Sequence, residues 1–347
     1  MWESKVMSQL GFWDWEKRYT YLASKQDLLL NLSAVVPWEE FRPILEKVHQ
    51  KPRKSNAGRK PIDVVVIFKM LILQRLYNLS DEQLEYQIND RLSFMKFLNL
   101  GLEDRVPDGT TVWLFREQLA KQGLVRELFE KFDEYLNGAG YEAKGGQIID
   151  ATLVPVPKQH IKKEERKALE SGKIPKEWDK NHHKRAQRDQ DAQWTRKNNQ
   201  NYYGYKNHIN VDVEHGLIRR YEVSHAAMHD SQKIAELLDG GNEGKGLWGD
   251  SAYRKEATER ALSRIGFASH INERGYRNRS LTKEQKERNR ERSRIRAKVE
   301  HVFGGMVQGM GGKMERVIGQ VRVSTQIGLK NLAYNLRRYC YLEKEVI

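Results

Sequence analysis

Apolar residues recur at helical spacing over the first part of the chain and at strand spacing after Gly145-Gly146. The run Val64, Val65, Val66, Ile67, Met70, Leu71 and Leu73 predicts a buried helix. It follows the loop Gly58-Arg59-Lys60-Pro61, whose proline suits a first helical turn. Asn78-Leu79-Ser80-Asp81 breaks the pattern, and Ser80 with Gln83 has the form of a capping box, so a short helix over 81–89 is expected. A break at Asp90 leads into a third helix over 92–98, and Asp108-Gly109-Thr110-Thr111 caps a fourth over 112–122. Past the glycines, residues 147–154 read as a central strand, and 203–213 and 217–223 as a hairpin joined by Glu214-His215-Gly216. A helix over 231–238, a strand over 246–250, a helix over 254–262, a strand over 267–271 and a long helix over 286–306 complete the series. Between the first strand and the hairpin, residues 158–200 are polar and basic without apolar periodicity, and read as a long loop with a local helix. The expected architecture is mixed α+β. An all-helical domain over 1–143 precedes a mixed sheet with flanking helices over 144–347, which carries a basic insertion at 158–200.

Charge narrows the class of partner. Among 347 residues, 61 Lys and Arg face 47 Asp and Glu, a formal net charge of +14, with a pI near 9.6. Such a chain is drawn to polyanions, of which nucleic acid is the commonest. No apolar run is long enough to span a bilayer, so no membrane association is expected. Cys340 is the single cysteine, which excludes an internal disulfide framework and a cysteine-based zinc site. The first twenty residues contain early acidic residues and no continuous apolar stretch, so neither a signal peptide nor secretion is expected, and the localisation reads as cytoplasmic. With this charge, the short helices over about 60–98 fit a helix-turn-helix module. They fit a helical packing domain without DNA contact equally well.

Three acidic residues stand in apolar surroundings. Asp150 follows Ile148 and Ile149 in the first strand, and Asp250 follows Leu247 and Trp248 at the end of a later one. Glu300 lies beside the stripe Ile295, Val299, Val302 and Met306 of the last helix. Each has a plain structural explanation: a turn cap for either aspartate, and an i,i−4 pair with Arg296 for Glu300. Taken together they suggest more. The order of elements suits an RNase H-like fold, in which the first and fourth strands are adjacent and the last helix packs beside them. That placement gathers three carboxylates at one end of the sheet. Hard oxygen ligands without His or Cys select Mg²⁺ or Mn²⁺, and two such ions support phosphoryl transfer.

The strings Ile149-Asp150-Ala151-Thr152, Gly249-Asp250-Ser251-Ala252-Tyr253 and Arg296-Ala297-Lys298-Val299-Glu300-His301-Val302-Phe303-Gly304 resemble the three acidic motifs of DDE transposases from bacterial insertion sequences, specifically the IS-five group. Tyr77-Asn78-Leu79-Ser80-Asp81, Pro107-Asp108-Gly109-Thr110-Thr111, Gly204-Tyr205-Lys206-Asn207-His208-Ile209 and His229-Asp230 extend the likeness. The resemblance implies cleavage of an element's ends and their joining to target DNA, dependent on two Mg²⁺ (or Mn²⁺) ions held by Asp150, Asp250 and Glu300. It implies terminal inverted repeats and target duplex as partners, and a homodimer on DNA. Arg296 is expected on DNA phosphate near the cut, with Lys298, Lys206, Arg292, Lys313 and Arg322 as further DNA contacts. The chain departs from the family at Val307, where a Lys is common seven residues after the Glu; Lys313 is the candidate replacement.

Other features carry less. Gly309-Met310-Gly311-Gly312-Lys313-Met314 follows a helix and lacks the Ser or Thr of a phosphate loop. His182-His183 has no partner ligands at suitable spacing, and Asp230 reads as the N-cap of the helix over 231–238. Basic residues crowd 277–298 ahead of Glu300, where they suit backbone contacts. Trp178 and Trp194 lie among cations in the insertion and are expected to pin it to the body, with base stacking as the alternative. Two competing functions remain: a catalytically inactive, transposase-derived DNA-binding regulator, and a nuclease that only hydrolyses.

Overall fold

The computed structural model describes residues 27–49, 62–159, 161–276 and 279–346, together with residues 17, 20, 21, 24 and 25. The loop Gly58-Arg59-Lys60-Pro61 and Arg277 lie outside the described residues. The described residues ahead of the sheet are helical; the longer helices are α1 (Leu28–Val35), α2 (Val64–Tyr77), α3 (Asp81–Asp90), α4 (Leu92–Leu98), α5 (Gly109–Gln122) and α6 (Leu124–Gly138). Their boundaries follow local chemistry. Asp63 accepts the Val65 amide to start α2, and Asn78, in left-handed conformation at φ 53°, ends it. Ser80 accepts from Gln83 N at 3.2 Å and Asp108 from Thr111 N at 2.7 Å, as their sequence positions foretell. Asp81 is no surface residue of a turn: Arg116, itself buried, donates to both of its oxygens at 2.7 and 2.9 Å.

The sheet has six strands: β1 (Gln147–Pro155), β2 (Gln193–Lys197), β3 (Gln200–Asp212), β4 (Ile218–His225), β5 (Gly246–Gly249) and β6 (Ala268–Ile271). Its order is β2-β3-β1-β5-β6, with β4 also on β3. β3 runs antiparallel to β1, β2 and β4, whereas β1, β5 and β6 are mutually parallel. This is the RNase H-like arrangement, and the adjacency of β1 and β5 matches the expectation for the first and fourth strands of the series. One face of β1 (Ile148, Val154) joins the large core with Val299, Val302 and Met306 of α12 (Lys283–Gly309). The other face (Ile149) joins a smaller core with Ile234 and Leu237 of α10 (Ile234–Leu237) and Leu262 of α11 (Glu256–Arg264).

Residues 158–200 are more ordered than their composition predicts. They hold α7 (Lys163–Glu170), α8 (Lys176–Lys180), α9 (His182–Ala186) and the strand β2. Trp178 is fully buried and donates to Glu165 at 2.8 Å, giving the segment a small core of its own. Trp194 packs on Tyr203, with the Lys158 and Arg166 cations over its ring. Trp194 thus ties the insertion to the body as expected, whereas the Trp178 bond lies within the insertion.

A second departure is α13 (Gln320–Val346), which the periodicity did not disclose. It packs on α1, α2, α5, α6 and β4, so its apolar residues point several ways and leave no single stripe. Val323, Ile327, Leu332 and Leu336 share one core with Phe68, Leu71 and Phe132 of the N-terminal helices. No helix among the described residues is long and apolar enough to cross a membrane.

Candidate active site

Strand register places the first two acids. Gln147 lies opposite Leu247 and Ile148 opposite Trp248 in the parallel β1–β5 ladder. Asp150, within β1, and Asp250, just past the end of β5, each follow two residues later, so they stand side by side on adjacent parallel strands. Asp150 accepts its neighbour Ala151's amide at 2.7 Å, and Asp250 accepts Ala252's at 2.9 Å. The turn-capping role foreseen for Asp250 is thus real and leaves its second oxygen free of it. Burial, with the Asp250 charge adding to it, pushes the Asp150 carboxyl up to about 6.

Glu300 comes from α12, which packs on β1 and β5. Its carboxylate is exposed and accepts from Arg296 Nη2 at 2.7 Å, the helical pair foreseen as its structural explanation. Arg296 is the hub of the site. Burial works against its charge, but the Glu300 bond and the Asp150 and Asp250 charges outweigh it and raise the guanidinium's affinity for its proton. Its Nε is buried without a hydrogen-bond partner. The structure therefore brings together Asp150, Asp250 and Arg296, with Glu300 tethered to Arg296. Among the described residues, no three His, Cys, Asp or Glu side chains converge closely enough to hold a metal ion. The Asp150–Asp250 pair nevertheless suits a divalent cation: its donors are hard oxygens, and a cation between them would relieve the burial and repulsion that lift Asp150.

Two groups that the motifs did not single out share this space. Tyr253 is fully buried, its hydroxyl has no partner, and burial with the nearby Asp150, Asp230 and Asp250 charges holds its proton well above the usual range. Lys197, at the end of β2, is close enough for its charge to act on Asp150. Tyr253 was visible as the last residue of its motif; Lys197 was hidden in a segment read as loop.

The other basic candidates disperse. Arg292, one turn before Arg296, donates to Ile271 O at 2.9 Å and lies 3.6 Å from Glu273. Lys206 is tied to Asp230 at 2.8 Å and to Met228 O at 2.7 Å. Asp230 is therefore not the N-cap it was expected to be; His229 caps that turn, its ring nitrogen 3.3 Å from Ser231 N. Arg322 pairs with Glu117 across α13 and α5. Lys298 donates to Val213 O at 2.6 Å, away from the acids. Lys313 is exposed and lines a small cleft with Thr152 and Val307, on the β1 face that carries Asp150.

Residues 142–336 match the family described as Transposase DDE domain. The chain belongs to that family. Residues 17–118 match a second family, described as Transposase domain (DUF772). Among solved structures, a piggyBac transposase synaptic complex with hairpin DNA aligns with 92% of this chain and 76% of its own, at 12% identity and a TM-score of 0.47. Membership of the transposase DDE family agrees with the three acidic motifs that suggested it.

Proposed function

We propose that this family member cleaves the ends of an insertion sequence and joins them to target DNA, using Asp150, Asp250 and Glu300 as the acidic triad. The observation that carries the reading is the register of β1 and β5, which sets Asp150 beside Asp250, near enough to Arg296 for their charges to act on it. Mg²⁺ or Mn²⁺ ions bound by these carboxylates would activate a water or 3′-hydroxyl and stabilise the leaving oxygen. The chain's own part is positional. Arg296, whose Nε has no partner, turns its guanidinium to a phosphate oxygen of the cut strand, which frees Glu300 to join the aspartates. The helical region up to about residue 143 recognises the element's ends, two protomers act together on DNA, and the reaction takes place in the cytoplasm.

The Arg296–Glu300 pair also favours a second reading. By keeping the third carboxylate away from the aspartates, it suits a DNA-binding regulator without catalysis. Incubation with Mg²⁺, DNA bearing the gene's own flanking ends and a target plasmid separates the possibilities. Joined products establish the transposase, cut ends without joining indicate a hydrolytic nuclease, and binding without cutting indicates the regulator.

A further inference from the structure

A cleft of about 470 Å³ opens on the side of α12 turned away from the acids. Lys298, His301 and Gly305 of α12, Tyr334, Arg337, Arg338 and Tyr341 of α13, and the β3–β4 turn line it. On a helix, Lys298, His301 and Gly305 fall roughly 140–200° around from Arg296, whereas Glu300 lies about 40° from it. α12 is therefore a wall roughly 10 Å thick between the acidic site and the cleft.

Three features give the cleft a chemistry. Its cations (Lys298, Arg337, Arg338 and, when protonated, His301) outnumber its single acid, Glu214. Lys298 and Arg338 are oriented by the turn, donating to Val213 O at 2.6 Å and His215 O at 2.7 Å, and Arg338 also lies over the Tyr341 ring. Exposed Arg337 and His301 make no hydrogen bond or ion pair among the described residues. Finally, Gly305 leaves the α12 side of the cleft bare. A Cβ there would meet only Tyr334, at an ordinary 3.7 Å. Glycine inside a helix is less stable than alanine, and a Cβ fits here without a clash, so the open space itself is the feature to be explained.

We infer that this cleft is a second phosphate-binding track, which grips the backbone of a duplex segment outside the strand held at Asp150 and Asp250. The inference rests on DNA being the substrate and adds a second seat for it. Oriented cations beside tyrosine rings, with room for a phosphate, match a sugar–phosphate backbone in charge and shape.

The test uses the full chain, a fluorescein-labelled 30-base-pair duplex and divalent-free buffer, with affinity read by anisotropy between 50 and 200 mM salt. Without divalent ions the result is independent of cleavage, so a failed transposase assay and a failed cleft are distinguishable. Arg337→Glu is expected to weaken binding severalfold and to lower the slope of log affinity against log salt by about one. Gly305→Leu, which fills the cleft without changing charge, is expected to weaken binding while leaving the melting temperature equal or higher. Arg260→Glu, an exposed reversal on α11 against the opposite face of the sheet, serves as the control and is expected to change affinity much less. Wild-type affinity in both cleft variants, or an equal loss in the control, overturns the inference.

Discussion

Arg296 lies within a single helical turn of Glu300 and close enough to Asp150 and Asp250 for their charges to act on it, so its guanidinium is a positive charge that all three acids share. A buried Nε without a partner is costly, about 1–3 kcal/mol for a neutral donor and more for a charged one. A phosphate oxygen would give that donor an acceptor. Arg296→Ala is therefore expected to slow cleavage at the DNA ends and to leave Mg²⁺ affinity intact, as single-turnover kinetics and metal titration would show. Unchanged kinetics would remove Arg296 from the account.

Elements set what those residues can do. Gly204, at φ +147°, lies opposite Pro155 in the β3–β1 ladder, and a Cβ there would collide with Val154 O. Gly204→Ala is expected to lower stability by about 1–3 kcal/mol, read as a reduced urea midpoint at constant slope. On the same strand His208 is fully buried, with Nε2 2.8 Å from Ser224 Oγ and Nδ1 unpartnered. Burial lowers its pKa from 6.5 to about 4. Its stabilising contribution is complete above pH 6.5 and is lost as pH falls toward 4, because only the unfolded chain takes up the proton readily. His208→Gln should therefore flatten the fall in stability between pH 6.5 and 4, measured by denaturation at each pH. α12 was legible because it buries one stripe, Val299, Val302 and Met306, as their spacing requires, and β1 because a short apolar run bounded by glycines and prolines marks a strand buried on both faces. α13 was not, since it is enclosed by several elements; β2 was missed although β3 follows it after only Asn198-Asn199, both at positive φ, because the polar, basic composition of the segment masks the hairpin.

Across the whole molecule, a few buried polar links join the helical region to the sheet. Arg219 of β4 donates to Asp212 at 3.0 Å and to Asp133 of α6 at 2.8 Å, and burial leaves both Arg219 and Asp212 almost without solvent. Arg219→Ala would take the guanidinium from buried Asp212 and leave it the His215 and Leu217 amides and the His215 ring, a loss of up to about 3–5 kcal/mol in global unfolding. Asn335 clasps the Ile218 backbone from α13, accepting its N–H at 2.9 Å and donating to its C=O at 2.7 Å. Such long-range links cannot be inferred from one sequence. The site was legible where motif and strand agreed, at Asp150 and Asp250. The tether on Glu300 was foreseen only as its plain alternative, and the dispersal of Arg322, Lys206 and Lys298 depends on partners distant in the chain.

The most direct test of the central claim is Mg²⁺-dependent nicking of DNA that carries the gene's own flanking ends, comparing wild type with Asp250→Ala. The account predicts nicks at the ends with wild type alone, with equal DNA binding by both proteins. Equal nicking by both, or none by wild type in Mg²⁺ or Mn²⁺, would contradict it.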